Sequence, residues 1–180
     1  MGIDPGLRLT GYACVQGPDG SDLGDAGFGG FQGVEILEAG VFRLQAARPI
    51  SERLVELEHD LCAAIERLRP EVVAVEKLFS HYKHPTTAAI MGHARGVVLL
   101  AISRAGLRLV ELGATEVKKS LTGNGHAKKS QMQDAVMVRL GLAVRPEPPD
   151  VADAIAIACC ALRRGERVGA ASAPARRGPA

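Results

Sequence analysis

Tryptophan is absent from this 180-residue chain and aromatic residues of any kind make up only 3%, so any core has to be packed from Leu, Val, Ile and Ala. Long apolar runs are missing too. The longest, Gly96 to Ile102, is far below the roughly 20 residues that a membrane-spanning helix needs, and the opening Met1-Gly2-Ile3-Asp4-Pro5 lacks the character of a secretory signal. Nor is there a strong excess of charge: a formal net charge of +2 does not by itself announce a nucleic-acid binder. The four cysteines, Cys14, Cys62, Cys159 and Cys160, show no paired short spacing and lie in apolar surroundings. That suits small buried residues in a reducing compartment better than a zinc or disulfide framework, so a cytoplasmic location is expected.

What is present is an ordinary globular balance, 47% hydrophobic and 23% charged, at a length suited to one domain that needs no staples. Gly2-Ile3-Asp4 before Pro5-Gly6 reads as a strand ending in a turn, with Gly11 to Val15 as the returning strand. Gly17 to Gly33 is Gly- and Asp-rich and is expected to be an irregular loop. Val34 to Leu44 is consistent with a third strand interrupted by a turn at Gly40. From Pro49 to Arg69, Leu54, Leu57, Leu61, Ile65 and Leu68 recur at steps of three and four, the stripe of an amphipathic helix. Val72 to Val75 is a continuous apolar run, as in a strand covered on both faces, and Glu76 arrives at its end.

Farther on, Thr87 to Arg104 reads as a helix buried on much of its circumference, and Leu107 to Val110 as another strand. Thr115 is a plausible N-cap for a short helix to Leu121, broken by Gly123-Asn124-Gly125 before a longer helix from Ala127 to Leu140. Pro146, Pro148 and Pro149 form a stiff connector, after which Asp150 opens an apolar helix through Leu162. The Gly-, Ala-, Pro- and Arg-rich residues 164–180 are expected to be a disordered tail outside a domain spanning 1–163. Strands first in a meander and then alternating with helices predict an α/β domain with a mixed sheet whose second half is parallel. In such sheets, sites gather at strand carboxyl ends.

Four acids draw attention, and each has a plain structural alternative. Asp4 can be the acceptor in an Asp-Pro-Gly turn. Glu76 ends a buried strand, where an ionised acid is costly without a partner, and Lys77 or an arginine would serve. Asp150 and Asp153 together look like a helix N-cap followed by a capping acid. Four carboxylates converging in one place would instead repel one another, and hard divalent cations, magnesium or manganese, are the natural compensation. Such ions align a water with a phosphodiester and offset charge on the leaving oxygen, which points to in-line hydrolysis.

Basic residues cluster in Lys118, Lys119, Lys128 and Lys129, and again in Arg163, Arg164, Arg167, Arg176 and Arg177. Solvated helix faces and a phosphate-binding surface explain them equally. The turn Gly123 to Ser130 lacks the Gly-Lys pair of a nucleotide-binding P-loop, with Ala127 and Lys128 in those places. A Lys-bearing turn ahead of a helix can still hold DNA phosphates. His81 and His84 have no further His or Cys at ligand spacing and read as a surface loop. Phe79 and Tyr82 beside them are equally suited to covering the core or stacking on unpaired bases.

Taken in order, Gly2-Ile3-Asp4-Pro5-Gly6, Val73-Ala74-Val75-Glu76, Gly92-His93-Ala94-Arg95-Gly96, Val117-Lys118 through Gly123-Asn124-Gly125 to Lys129-Ser130-Gln131, and Asp150-Val151-Ala152-Asp153-Ala154 resemble the RuvC family of Holliday junction resolvases. The set spans the chain to about Leu162. The resemblance implies a ribonuclease-H-like α/β fold, a five-stranded mixed sheet with helices on both faces. It implies a homodimer that makes paired nicks in four-way junction DNA during recombination and repair, with Mg2+, or Mn2+ in its place, held by the catalytic acids Asp4, Glu76, Asp150 and Asp153. It further implies that Lys118, Lys129 and Phe79 contact DNA, that the Thr87–Arg104 helix contributes to the dimer interface, and that the RuvA and RuvB branch-migration machinery is a partner. Two features depart from the family pattern: a start at Met1 leaves little strand before Asp4, and the Gly17–Gly33 stretch is long. Competing functions are a junction-binding protein without cleavage and a ribonuclease-H-like nuclease on another substrate. A sugar-kinase-like phosphotransferase would need two lobes and a longer chain.

Overall fold

The computed structural model describes residues 1–18, 31–77 and 85–165, with side chains described from residue 88 onward in the last span. Three strands open the fold, β1 (Gly2–Asp4), β2 (Leu9–Gln16) and β3 (Glu35–Arg43), followed by α1 (Ile50–Leu68) and β4 (Val72–Glu76). Then come α2 (Pro85–Arg104), β5 (Arg108–Leu112), α3 (Ala114–Thr122), α4 (Lys129–Arg139) and α5 (Pro149–Arg163). The five strands form one sheet in the order β3-β2-β1-β4-β5. β1, β2 and β3 pair antiparallel, while β1–β4 and β4–β5 are parallel. This is the mixed sheet expected from the order of the elements.

β1 is only three residues long, yet it lies at the centre of the sheet. Its pairing with β4 extends to Met1, whose carbonyl accepts from Ala74 N at 2.8 Å and whose amino group donates to Val72 O at 2.7 Å.

Side-chain alternation divides the core in two. Ile3, Val73 and Val75 pack with Leu57 and Leu61 of α1 and Val98 and Ile102 of α2. On the other face, Ala13, Ala74 and Leu112 pack with Val117, Met132, Ile155 and Ile157 from α3, α4 and α5. Helices therefore cover both faces, and fully buried leucines such as Leu57 and Leu61 each contribute about 1.5–3 kcal/mol through loss of water contact.

Several details differ from expectation. β3 runs unbroken through Gly40, which pairs with Tyr12. A Cβ at Gly40 would sit 3.2 Å from the Tyr12 ring, so this glycine makes room for a cross-strand aromatic and no turn. α2 buries only one stripe, Ala94, Val98, Ala101 and Ile102, and exposes His93, Gly96, Leu100 and Ser103. Apolar composition alone does not give its burial, because apolar residues such as Leu100 also occur on protein surfaces. The N-cap of α3 is Gly113 and Thr115 lies within the first turn. α4 begins at Lys129, with Gln131 Oε1 accepting from Lys128 N at 2.8 Å. Most of the Gly-rich stretch, residues 19–30, and the tail from 166 lie outside the described residues, as do Phe79, His81, Tyr82 and His84.

Candidate active site

Strand parity puts Asp4 and Glu76 on one face of the sheet. Ile3 and Val75 point into the α1/α2 core, so their neighbours Asp4 and Glu76, at the carboxyl ends of adjacent parallel strands, turn to the α5 side. Two glycines then let α5 come close. A Cβ at Gly2 would lie 2.4 Å from Ala154 O, and one at Gly11 only 2.1 Å from Asp150 O. Gly11 is also the cross-strand partner of Asp4, so the missing side chain brings the first turn of α5 against β2 directly beside the first acid.

Asp150 and Asp153 ride on that helix, and its geometry removes their structural alternative. α5 starts at Pro149 with Pro148 as N-cap and no side-chain cap bond. Asp150 is therefore inside the helix, and the acid three residues later closes no capping box. The turn alternative for Asp4 fares similarly. Thr10 Oγ1 donates to Gly6 O at 2.6 Å and accepts from Gly6 N at 3.1 Å, so the buried Thr10 hydroxyl closes the Pro5-Gly6 turn.

Glu76 is not neutralised by Lys77, which is exposed and whose N–H donates to Leu112 O at 2.8 Å. Arg95 of α2 touches only the main chain of Glu76, donating from Nε to its carbonyl at 3.3 Å while pairing with Glu111 of β5.

All four acids line one cavity of about 940 Å³, together with Lys118 of α3 and Lys129 of α4. Burial, then the charges of Asp153, Glu76 and Asp150, push the Asp4 carboxyl up to about 7 against the opposing pull of Lys129. Glu76 is raised by burial and by Asp153, although Lys118 and Lys129 pull it down. Asp153 is raised, again mainly by burial, despite Lys129 Nζ at 3.5 Å from its Oδ2. Burial alone would lower the Lys129 ammonium, but Asp153, Asp150 and Asp4 outweigh it and raise the group. Asp4, Glu76 and Asp153 thus shift first through burial and then through neighbouring carboxylates, as expected of acids sharing one site.

Among the described residues no group of three or more His, Cys, Asp or Glu side chains is already gathered around a point as in a closed metal shell. The donor set nevertheless fits a hard divalent cation: it is all oxygen, it repels itself, and the cation now among the acids is the Lys129 ammonium. A dication would remove the repulsion that raises Asp4.

Sequence reasoning selected the four acids and both lysines. It passed over Gly11, whose signal was its place in the strand paired with Asp4, and Arg95, which was visible only as part of a motif.

The family model described as crossover junction endodeoxyribonuclease RuvC matches residues 1–161. A relative of that name from Rhodopirellula baltica is 43% identical over 162 residues, covering 89% of this chain and 83% of its own. Another, from Chloroflexus aggregans, is 42% identical over 160 residues, 89% of this chain and 90% of its own. The solved structure of Thermus thermophilus RuvC in complex with Holliday junction substrate is 32% identical with a TM-score of 0.76, over 92% of this chain and 95% of that one. The yeast mitochondrial Holliday junction resolvase Ydc2 shares the fold alone, at 15% identity and a TM-score of 0.60 over 90% of this chain and 76% of that one.

Proposed function

This chain belongs to the RuvC family of crossover junction endodeoxyribonucleases, and we propose that it resolves four-way DNA junctions by hydrolysing phosphodiesters at the cavity where Asp4, Glu76, Asp150 and Asp153 meet. The observation that carries this reading is the convergence of four mutually repelling carboxylates from β1, β4 and α5 in one cavity beside two lysines. Isolated helix caps and turn acids would not share a site.

Magnesium is the cation we assign, with manganese as substitute, held by the four carboxylates. When bound, it supplies the Lewis acidity that activates water near neutral pH and offsets charge on the leaving oxygen. The chain's own groups do the rest. The acids, fixed at strand ends and on one helix turn, set where the scissile phosphate must lie. Lys129, paired with Asp153 at 3.5 Å, exchanges that carboxylate for a phosphate oxygen as the backbone enters, and Lys118 supplies a second positive charge from the neighbouring helix. Phe79, outside the described residues, is assigned to the junction by family resemblance alone.

Two sites are needed for paired nicks. We assign the dimer contact to the outward face of α2, where His93, Gly96 and Leu100 are exposed. RuvA and RuvB are the partners expected to deliver junctions. The test is to incubate the purified protein with a synthetic four-way junction and a matched linear duplex, with Mg2+ or with chelator. Junction-selective nicking that needs the metal and disappears in Asp153→Asn is expected. Tight junction binding without cleavage under any divalent metal would favour a non-cleaving binding protein, and preferential cutting of an RNA–DNA hybrid would move the substrate elsewhere.

A further inference from the structure

Three arginines line the same cavity as the acids without belonging to the machinery above: Arg8 in the β1–β2 turn, Arg43 at the end of β3, and Arg53 in the first turn of α1. Their elements lie away from those of the lysines. Lys118 and Lys129 come from α3 and α4, which cover one face of the sheet, whereas α1 packs on the other.

Main-chain pairing holds Arg8 and Arg43 close. Leu9 pairs with Arg43, and Leu44 N donates to Arg8 O at 3.1 Å. Among the described residues no carboxylate pairs with either of them or with Arg53. Arginines elsewhere on the surface are spent differently: Arg67 on Glu38, Arg104 on Glu58 and Arg145 on Asp134. Arg53 adds that its Nε is buried without a hydrogen-bond partner. A buried donor left unmade costs about 1–3 kcal/mol, and the N-terminus of α1 beside it adds partial positive charge.

We infer that Arg8, Arg43 and Arg53 form a second phosphate-binding wall, which grips the DNA backbone on the side of the cavity opposite Lys118 and Lys129. The ligand is a phosphodiester backbone, because planar guanidinium forks match phosphate oxygens and three of them lining one cavity suit a repeating anion better than a single small one. The wall rests on the junction-cleaving reading of the cavity. It fixes the strand on both sides of the scissile phosphate, so that the acids meet it in one orientation.

The salt dependence of junction affinity tests this, measured in chelator so that no cleavage occurs. Each lost phosphate contact lowers the slope of log affinity against log salt by about 0.9. The triple variant R8Q/R43Q/R53Q is therefore expected to lose about 2–3 from the wild-type slope, and R8Q/R43Q, which leaves the half-buried Arg53 in place, about 2. Thermal unfolding of both variants identifies any loss of fold. A charge-matched variant, R67Q/R69Q/R104Q, removes three cations that do not line the cavity and is expected to keep the wild-type slope. Unchanged slope in folded R8Q/R43Q, or an equal loss in the charge-matched variant, overturns the inference. Wild-type protein that neither binds nor cuts the junction would instead defeat the reading on which it rests, so the two failures are distinguishable.

Discussion

Asp4 is the residue at which stability and chemistry oppose each other most directly. Burial and three neighbouring acids raise its carboxyl to about 7, so between the ordinary aspartate range and that value the native chain holds a proton that the unfolded chain has lost. Stability therefore falls as pH rises through this window, and the cost is fully present above about pH 7. Asp4→Asn removes the charge and keeps the shape. In chelator at pH 8 it is expected to unfold at a higher temperature than wild type, by about 1–3 kcal/mol in stability, with the difference vanishing near pH 4. Calorimetry across that range checks both the sign and the window. Junction cleavage is expected to be lost in the same variant, and Mg2+ to raise the melting temperature of wild type much more than that of Asp4→Asn. A variant that is less stable than wild type at pH 8 would show that the carboxylate is relieved by partners other than a cation. Gly11 is the complementary case, since its value lies in an atom it does not have. A Cβ there would meet Asp150 O at 2.1 Å, so Gly11→Ala must push the start of α5 off the sheet. A loss of about 1–3 kcal/mol with at least tenfold slower cleavage is expected. Gly92→Ala, with open space around its Cβ position, is expected to leave stability level or slightly raised.

At the scale of elements, the sequence disclosed what periodicity and punctuation encode and concealed what depends on long-range approach. The stripe Leu54–Leu57–Leu61–Ile65 and the run Val72 to Val75 were readable because helix and strand periods act within a few residues. The unbroken course of β3 through Gly40 was not, since it turns on Tyr12 from another strand. The one-sided burial of α2 was hidden for the same reason. The acids were legible as a set only through the ordered motifs. From residues alone Asp150 and Asp153 looked like a helix start, and only the position of Pro149 within α5 shows that they cap nothing. Arg95 illustrates how one element sets another. By donating to the Glu76 carbonyl and pairing with Glu111 it ties α2 to the ends of β4 and β5, so it positions Glu76 through the main chain while touching no reacting atom. Arg95→Ala is expected to slow single-turnover cleavage about tenfold or more at saturating protein, while junction affinity in chelator stays within about twofold. Arg95→Lys, which retains the pair with Glu111, is expected to recover part of the rate. A variant with weakened binding and an unchanged rate would place Arg95 on the DNA instead.

For the whole molecule the decisive matter is that the four acids of one chain line a single cavity, whereas resolution of a four-way junction requires two cuts in strands of like polarity. The outward face of α2 presents His93, Gly96 and Leu100 at steps of three and four, with Leu100 47% exposed. Gly96 in the middle of this stripe leaves room for a second helix, and the opposite face is already taken by Val98 and Ile102 in the core. β5, at the edge of the sheet beside this helix, adds the exposed Leu109. If two copies meet here, a charge at position 100 should separate them without disturbing the fold. Leu100→Glu is therefore expected to elute as a monomer at micromolar concentration where wild type elutes as a dimer, with light scattering giving the mass and thermal unfolding confirming an intact domain. The kinetic signature is more informative than the mass. On a supercoil-extruded four-way junction a dimer is expected to make its two nicks within one binding event and yield linear product, and the separated chain to accumulate singly nicked circles, with the second cut falling behind by about tenfold or more because it awaits a new encounter. A monomeric Leu100→Glu that still produces linear DNA at the wild-type rate would show that the cuts are independent, and the assignment of α2 to subunit pairing would fail with it.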